Sequence, residues 1–166
     1  GLGEFDIIAS DQVLEHCTNL KDFFVSLNDL LRTSGCIYSS YSPIWYTWGG
    51  DHFSGRNDLN SGFNHIILNK SLYEKYYLEN LSENEDIQSG GRYIKLDLFS
   101  KFSSNEYLNL YLDCDFSIKY LAIEFNPLSV KVLKNKELLS VLLKQHPKLS
   151  YEDFIIKGHI IILEKA

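Results

Sequence analysis

Methionine is absent from the 166 residues, so the chain shows no initiator. It enters an apolar run within five residues of Gly1. Two readings stand at this point, a processed N-terminus or an internal stretch of a longer protein, and the organisation of the chain decides between them. Cysteine is scarce: Cys17, Cys36 and Cys114 are odd in number and widely spaced. That fits reduced thiols in the cytoplasm better than a disulfide framework or a cysteine-built zinc site. No apolar run approaches the ~18–20 residues of a membrane span, and no secretory signal is visible. Positive charge is not in excess. Lys and Arg number 16 against 22 Asp and Glu, giving a net charge of −6, and the two signs are mixed. A basic face for nucleic acid is therefore not expected. What is present is a 45% hydrophobic content, which describes one globular domain over 1–166 with enough apolar surface for a core.

Phe5-Asp6-Ile7-Ile8-Ala9-Ser10 is short and rich in Ile, and it reads as a strand buried on both faces. From Leu20 the spacing turns helical, with Leu20, Phe23, Phe24, Leu27, Leu30 and Leu31 on one stripe. Thr18 or Asn19 can cap its start and Gly35 can end it. Cys36 to Tyr41 is a second strand, stopped at Ser42-Pro43. Strand, helix, strand with tight connections is a βαβ unit of a parallel sheet. The stretch from Ile44 to about Gly62 has little periodicity and carries both tryptophans; together with the residues up to about 91, it reads as a lid or insert. A helix is expected near Ser71–Leu81 and an exposed connection over Ser82 to Gly91. Ser103 or Ser104 caps a helix running to about Leu112. Phe116 to Phe125 is strand-like, Val130 to Lys144 is one helix, and Gly158 to Glu164 is a closing strand.

The informative segment is Phe5-Asp6-Ile7-Ile8-Ala9-Ser10-Asp11-Gln12-Val13-Leu14-Glu15-His16. It resembles the strand and turn at the fourth strand of class I S-adenosylmethionine (SAM)-dependent methyltransferases of the type-11 kind. Phe23-Phe24 to Leu31 is similar to the helix that follows there, and Leu30-Leu31-Arg32-Thr33-Ser34-Gly35 to the family's "LLKPGG" turn, with Thr33 and Ser34 replacing Pro and the first Gly. The resemblance implies an α/β fold: the C-terminal part of a Rossmann-like doubly wound sheet, strands four to seven, the last two antiparallel. It also implies that the Gly-rich cofactor turn and the first three strands lie outside these residues. Gly49-Gly50 and Gly90-Gly91 follow no suitable strand and cannot replace that turn. The expectation is a truncated methyltransferase domain with little activity alone.

In open α/β sheets ligands sit beyond the carboxyl ends of strands, near a switch point. Ser10, Asp11 and Gln12 lie at such an end and are the expected cofactor contacts. His16 is a candidate general base or acceptor-positioning group; the plainer reading is that Glu15 and His16 brace the turn. A related "E-x-x-E-H" metal motif occurs in some methyltransferases acting on RNA 3′ ends or quinone precursors. Gln12 takes its first acidic position and removes an oxygen charge that Mg²⁺ would want, so no metal is expected.

Trp45-Tyr46-Thr47-Trp48-Gly49-Gly50-Asp51-His52, with Phe63-Asn64-His65 downstream, is similar to type-11 relatives associated with polysaccharide and secondary-metabolite gene sets. There His52 is a second catalytic candidate, and Tyr41, Trp45, Trp48 and His65 are candidate acceptor contacts, since aromatics offer apolar area with a polar handle. The alternative is that the tryptophans only pack the lid. Asp51-His52 is a weaker acid/base pair. His146, His159 and the three cysteines are read as structural or solvated. The implied activity is methyl transfer from SAM to a sugar, a lipid-linked precursor or a small aromatic. The rival is a non-catalytic module that pairs with a partner chain supplying the missing strands.

Overall fold

The computed structural model describes residues 4–80 and 91–166; of the connection expected over Ser82 to Gly91, residues 82–90 lie outside them. Four strands form one sheet: β1 (Phe5–Asp11), β2 (Leu31–Tyr41), β3 (Phe116–Phe125) and β4 (Ile156–Lys165). Their order is β1-β2-β4-β3. β1 and β2 are parallel, while β4 is antiparallel to β2 on one side and to β3 on the other. Only the last strand is reversed, and it lies between two strands that precede it. This is the α/β arrangement implied for strands four to seven.

Helix α1 (Leu20–Leu30) makes the crossover from β1 to β2. Its apolar stripe, led by Leu20 and Phe24, is buried and packs on one sheet face with Ile37, Ile161, Leu163 and Phe116. Helices α2 (Asn64–Ile67), α3 (Lys70–Asn80) and α4 (Gly91–Lys95) follow the Trp-bearing stretch. Helix α5 (Ser104–Asp113) starts on a capping box made by Ser103 and Glu106, the reciprocal pairing that satisfies two free N–H groups. It lays Tyr107, Leu110 and Tyr111 onto the same sheet face as α1. The rings of Phe24 and Tyr111 meet edge to face at 4.9 Å, a favoured aromatic geometry.

Three features differ from the sequence expectation. Gly35 does not end α1; the helix stops at Leu30, and Leu31 is already extended. Ser34, at φ 61°, takes the left-handed position. The pairing of β1 with β2 skips here, from Phe5–Leu31 to Ile7–Cys36. The turn is thus a bulge inside β2, not a helix cap. Val130 to Lys144 is not one helix. It divides into α6 (Pro127–Val132) and α7 (Lys136–Gln145), because the Asn135 side chain accepts from the N–H groups of Glu137 and Leu138 and caps a new start. β1 is not buried on both faces: Phe5 is 41% and Ile7 69% exposed. It is an edge strand, and α1 and α5 both cover the other face.

The opposite face, which no helix of the described residues covers, is apolar. Ala9, Tyr38, Ile162 and Tyr120 form one row across all four strands, with Tyr38 and Tyr120 exposed. A second, smaller core joins α2, α6, α7 and α8 (Tyr151–Ile155) through Phe63, Val132, Leu142 and Phe154, with Trp48 packed against it. Among the described residues no helix is long and apolar enough to cross a membrane.

Candidate active site

The carboxyl ends of β1 and β2 open onto a 3-10 turn, Leu14–His16. Gln12 enters it with φ 53°, an uncommon conformation for a side chain larger than glycine. Its N–H donates to Ser40 O at 2.8 Å, carrying the β1–β2 pairing one residue further. The turn is braced from the α5 side. Ser100 Oγ donates to Leu14 O and Cys17 O, and Ser100 N donates to Glu15 O at 2.8 Å. Tyr107 OH donates to Leu14 O at 3.4 Å.

This bracing fixes two side chains. Glu15 is buried, 2% exposed. Hydrogen-bonding requirements orient the Gln12 amide so that its nitrogen donates to Glu15 Oε1 (3.2 Å) and Ser42 O (2.7 Å). Glu15 Oε2 has no partner among the described residues. Burial raises the Glu15 carboxyl to about 7, against the pull of the peptide N–H groups of Glu15 and Ser42 and with help from Asp11. His16 bonds through Nδ1 to Leu98 O at 2.9 Å, which makes Nδ1 the protonated nitrogen and leaves Nε2 as an acceptor. Its ring stacks on Tyr93 with centroids 3.8 Å apart. Burial lowers its pKa, and the Leu98 bond opposes that.

His52 comes to the same place from the Trp-bearing stretch. It sits at φ 61°, its ring 4.9 Å from that of His16. Its Nε2 also lacks a partner among the described residues. Burial lowers its pKa to about 4, with His16 adding to the shift and Asp51 opposing it. One ligand atom from each of Glu15, His16 and His52 lies within 4.8 Å of the others. Phe99 closes one wall, its centroid 5.7 Å from His16 and 6.1 Å from His52.

Asp51 does not form the expected pair with His52. Its carboxylate accepts from Ser54 N at 2.8 Å, Ser54 Oγ at 2.7 Å and Tyr73 OH, and it lies 3.8 Å from His65 Nδ1. Burial acts to raise its pKa, and the proximity of His65 with the bonds from Tyr73 and Ser54 outweighs it, so the carboxyl lies below its ordinary value. His65 donates through Nε2 to Trp45 O at 2.7 Å, and burial lowers its pKa.

The other expected contacts lie apart. Trp45 and His65 line a 660 Å³ cavity with Tyr73, Tyr77, Ile94 and Lys101, and the Phe99 ring is in contact with Trp45 as well as with His16 and His52. Trp48 lies on the other side, along a 590 Å³ groove with Pro43 and Phe125. Its indole N–H donates to Leu59 O at 2.8 Å. Gly62 lets it pack so closely, since a Cβ there would overlap the indole. Tyr41 is buried, and its hydroxyl joins Tyr111 OH (2.6 Å) and His159 Nδ1 (2.7 Å) in a core chain. Ser10 Oγ pairs with Ser39 Oγ at 3.0 Å, and Asp11 is exposed. Two members of the neighbourhood escaped the sequence reading. Tyr93 and Phe99 carry no local motif, and only the fold brings them to His16.

No family model matches the sequence, and no curated protein matches it. Solved structures with a similar fold include phosphoethanolamine N-methyltransferase 2 of Haemonchus contortus, in complex with phosphomonomethylethanolamine and S-adenosylhomocysteine (10% identity, TM-score 0.43, 97% of this chain and 33% of that one). They also include a SAM-dependent methyltransferase of Mesorhizobium loti (13%, TM-score 0.46, 97% and 62%). A third is the geranyl diphosphate C-methyltransferase of Streptomyces coelicolor A3(2), with Mg²⁺, geranyl diphosphate and S-adenosylhomocysteine (12%, TM-score 0.42, 97% and 47%). The chain thus spans between one third and two thirds of the length of these proteins.

Proposed function

We propose that this chain is part of a SAM-dependent methyltransferase domain that transfers a methyl group to a small acceptor. A sugar, a lipid-linked precursor and a small aromatic are the acceptor classes considered. The observation that carries the reading is the placement of the Phe5–His16 segment. It runs as a parallel edge strand into a braced turn at the carboxyl end of the sheet, the position where open α/β sheets bind ligands. In this reading Ser10, Asp11 and Gln12 face the cofactor, and His16 and His52 stand on the acceptor side. Trp45 and His65 line the space for the rest of the acceptor; Tyr41 and Trp48 support the walls. Methyl transfer needs an acceptor held in line with the sulfonium in a site with little water, and the turn offers buried, aromatic-walled surroundings. The stretch from Ile44, over its described residues to Asn80, acts as the lid. Three free thiols support a reducing, cytoplasmic setting.

The rival reading is a non-catalytic module completed by another chain. The exposed edge of β1 and the bare apolar row beside it favour it, since parallel strands are ordinarily covered on both faces. Isothermal titration of the whole protein with SAM and S-adenosylhomocysteine, followed by transfer assays with labelled SAM, separates the two. Binding that His16→Ala or His52→Ala leaves intact while transfer falls at least tenfold supports the enzyme. No SAM binding by the whole protein overturns it. The 166 residues alone are expected to bind SAM weakly, with the β1 edge unpaired.

A further inference from the structure

We propose that Glu15, His16 and His52 form a binding site for one divalent transition-metal ion of the zinc class, with a coordination position left for an oxygen of water or acceptor. The three side chains come from different parts of the chain, the turn after β1 and the Trp-bearing stretch. Each nonetheless turns one ligand atom into the same small volume, all within 4.8 Å. Glu15 and His52 each carry a buried atom, Oε2 and Nε2, with no other partner among the described residues. For Glu15 this matters most, because a carboxylate 2% exposed is costly to bury unless it is hydrogen-bonded or coordinated. An ion supplies the missing partner for both.

The surroundings resemble those of metal ligands. His16 spends its Nδ1 proton on Leu98 O, so the free lone pair is on Nε2. A backbone carbonyl on the far nitrogen is a common way to fix a ligating histidine. The Gln12 amide donates to the other oxygen of Glu15, orienting that carboxylate too. The expectation of no metal rested on the missing acidic group at Gln12, and that argument concerns hard cations. Two imidazoles and one carboxylate are instead the donor set that suits zinc and its first-row neighbours, and three protein ligands leave an open position.

The ion binding does not depend on the methyl-transfer reading; only the assignment of the open position to an acceptor oxygen does. The test therefore omits SAM. The chain, freed of metal with a chelator, is titrated calorimetrically with Zn²⁺, Mn²⁺ and Mg²⁺, and Co²⁺ is followed by its visible absorption. The expected result is one Zn²⁺ per chain, Mg²⁺ at least a hundredfold weaker, and Co²⁺ bands of a nitrogen- and oxygen-ligated site. Glu15→Gln keeps the buried shape and His52→Asn lies on a turn. Each should weaken Zn²⁺ at least tenfold with an unchanged far-ultraviolet spectrum, while His146→Gln and Cys36→Ser leave it unchanged. No stoichiometric Zn²⁺ binding, or binding that Glu15→Gln and His52→Asn do not weaken, overturns the site. If Glu15→Gln does not fold, the His52→Asn titration decides alone.

Discussion

The imidazole of His16 lies nearly parallel to the phenol ring of Tyr93, at 12° and 3.8 Å between centroids. A residue on the turn after β1 is thereby held by a five-residue helix some 75 positions later in the chain. Replacing Tyr93 with Ala removes that wall. Aromatic pairs contribute about 0.5–1.5 kcal/mol beyond their buried area, so urea unfolding of Tyr93→Ala should show a modest loss. Phe24→Ala, in the centre of the main core, should lose more, about 3–5 kcal/mol. Equal losses would mean that α4 contributes more to the fold than its length suggests.

Gly62 and Gly55 enclose Trp48. Gly62 has an ordinary backbone conformation (φ −64°), so Gly62→Ala is a purely steric insertion against the indole. Overpacking of this kind costs about 1–3 kcal/mol. Gly55 adds a left-handed φ of 87°, and Gly55→Ala should cost more than Gly62→Ala. In a Trp45→Phe background the emission of Trp48 reports the change directly: both variants should shift it to the red as the indole leaves its pocket.

His159 makes stability depend on pH. It is buried between Tyr41 OH and Ser104 Oγ, and burial lowers its pKa from 6.5 to about 4. The unfolded chain therefore binds the extra proton first as pH falls, so the contribution is intact above pH 6.5 and is lost progressively toward pH 4. The slope is about 1.4 kcal/mol per pH unit and the total about 3 kcal/mol. Glu15, raised to about 7, and His52, lowered to about 4, titrate over overlapping ranges, and Glu15 has the opposite sign. The measurement is accordingly the difference between wild type and His159→Gln in denaturant midpoints from pH 4 to pH 7. That difference should vary with pH; a constant one would refute the assignment.

Tyr73→Phe tests the buried carboxylate of Asp51. It removes one of the donors that hold Asp51 ionised. Depriving a buried acceptor of one partner costs about 1–3 kcal/mol. Thermal unfolding should fall by several degrees; an unchanged midpoint would mean water takes the place of the phenol.

The exposed edge of β1 predicts self-association. Ile7 is 69% exposed on a strand whose outer edge has no neighbour among the described residues, a template for pairing with another chain. Sedimentation of the 166 residues should show concentration-dependent oligomers, and Ile7→Lys should shift them toward monomer.

Much of this fold was legible because its signals are local. The Ser103–Glu106 capping box, the Phe116–Phe125 strand and the Leu20–Leu30 stripe each lie within one stretch of sequence. What failed were places where a local signal competes with pairing. Gly35 reads as a helix stop, yet the chain had already left the helix to pair with Phe5, and Ser34 took the left-handed turn. The candidate site was half legible. The Glu15-His16 dipeptide and His52 stand out in sequence, but their meeting depends on the fold. So do the walls supplied by Tyr93 and Phe99. The division of Trp45 and Trp48 between two cavities follows from glycines next to Trp48 that no periodicity reveals.

The position of β4 between β2 and β3 has a consequence for synthesis. Both neighbours leave the ribosome earlier, and neither pairs with the other. Until the segment from Ile156 emerges, β3 has no strand on either side and β2 has only β1. Sheet closure is therefore a late, long-range event, the kind that slows folding and leaves strands open to wrong partners in the interval. A ribosome stalled ahead of Ile156 would hold a chain with its βαβ unit in place and the pairing of β3 with β4 still unmade.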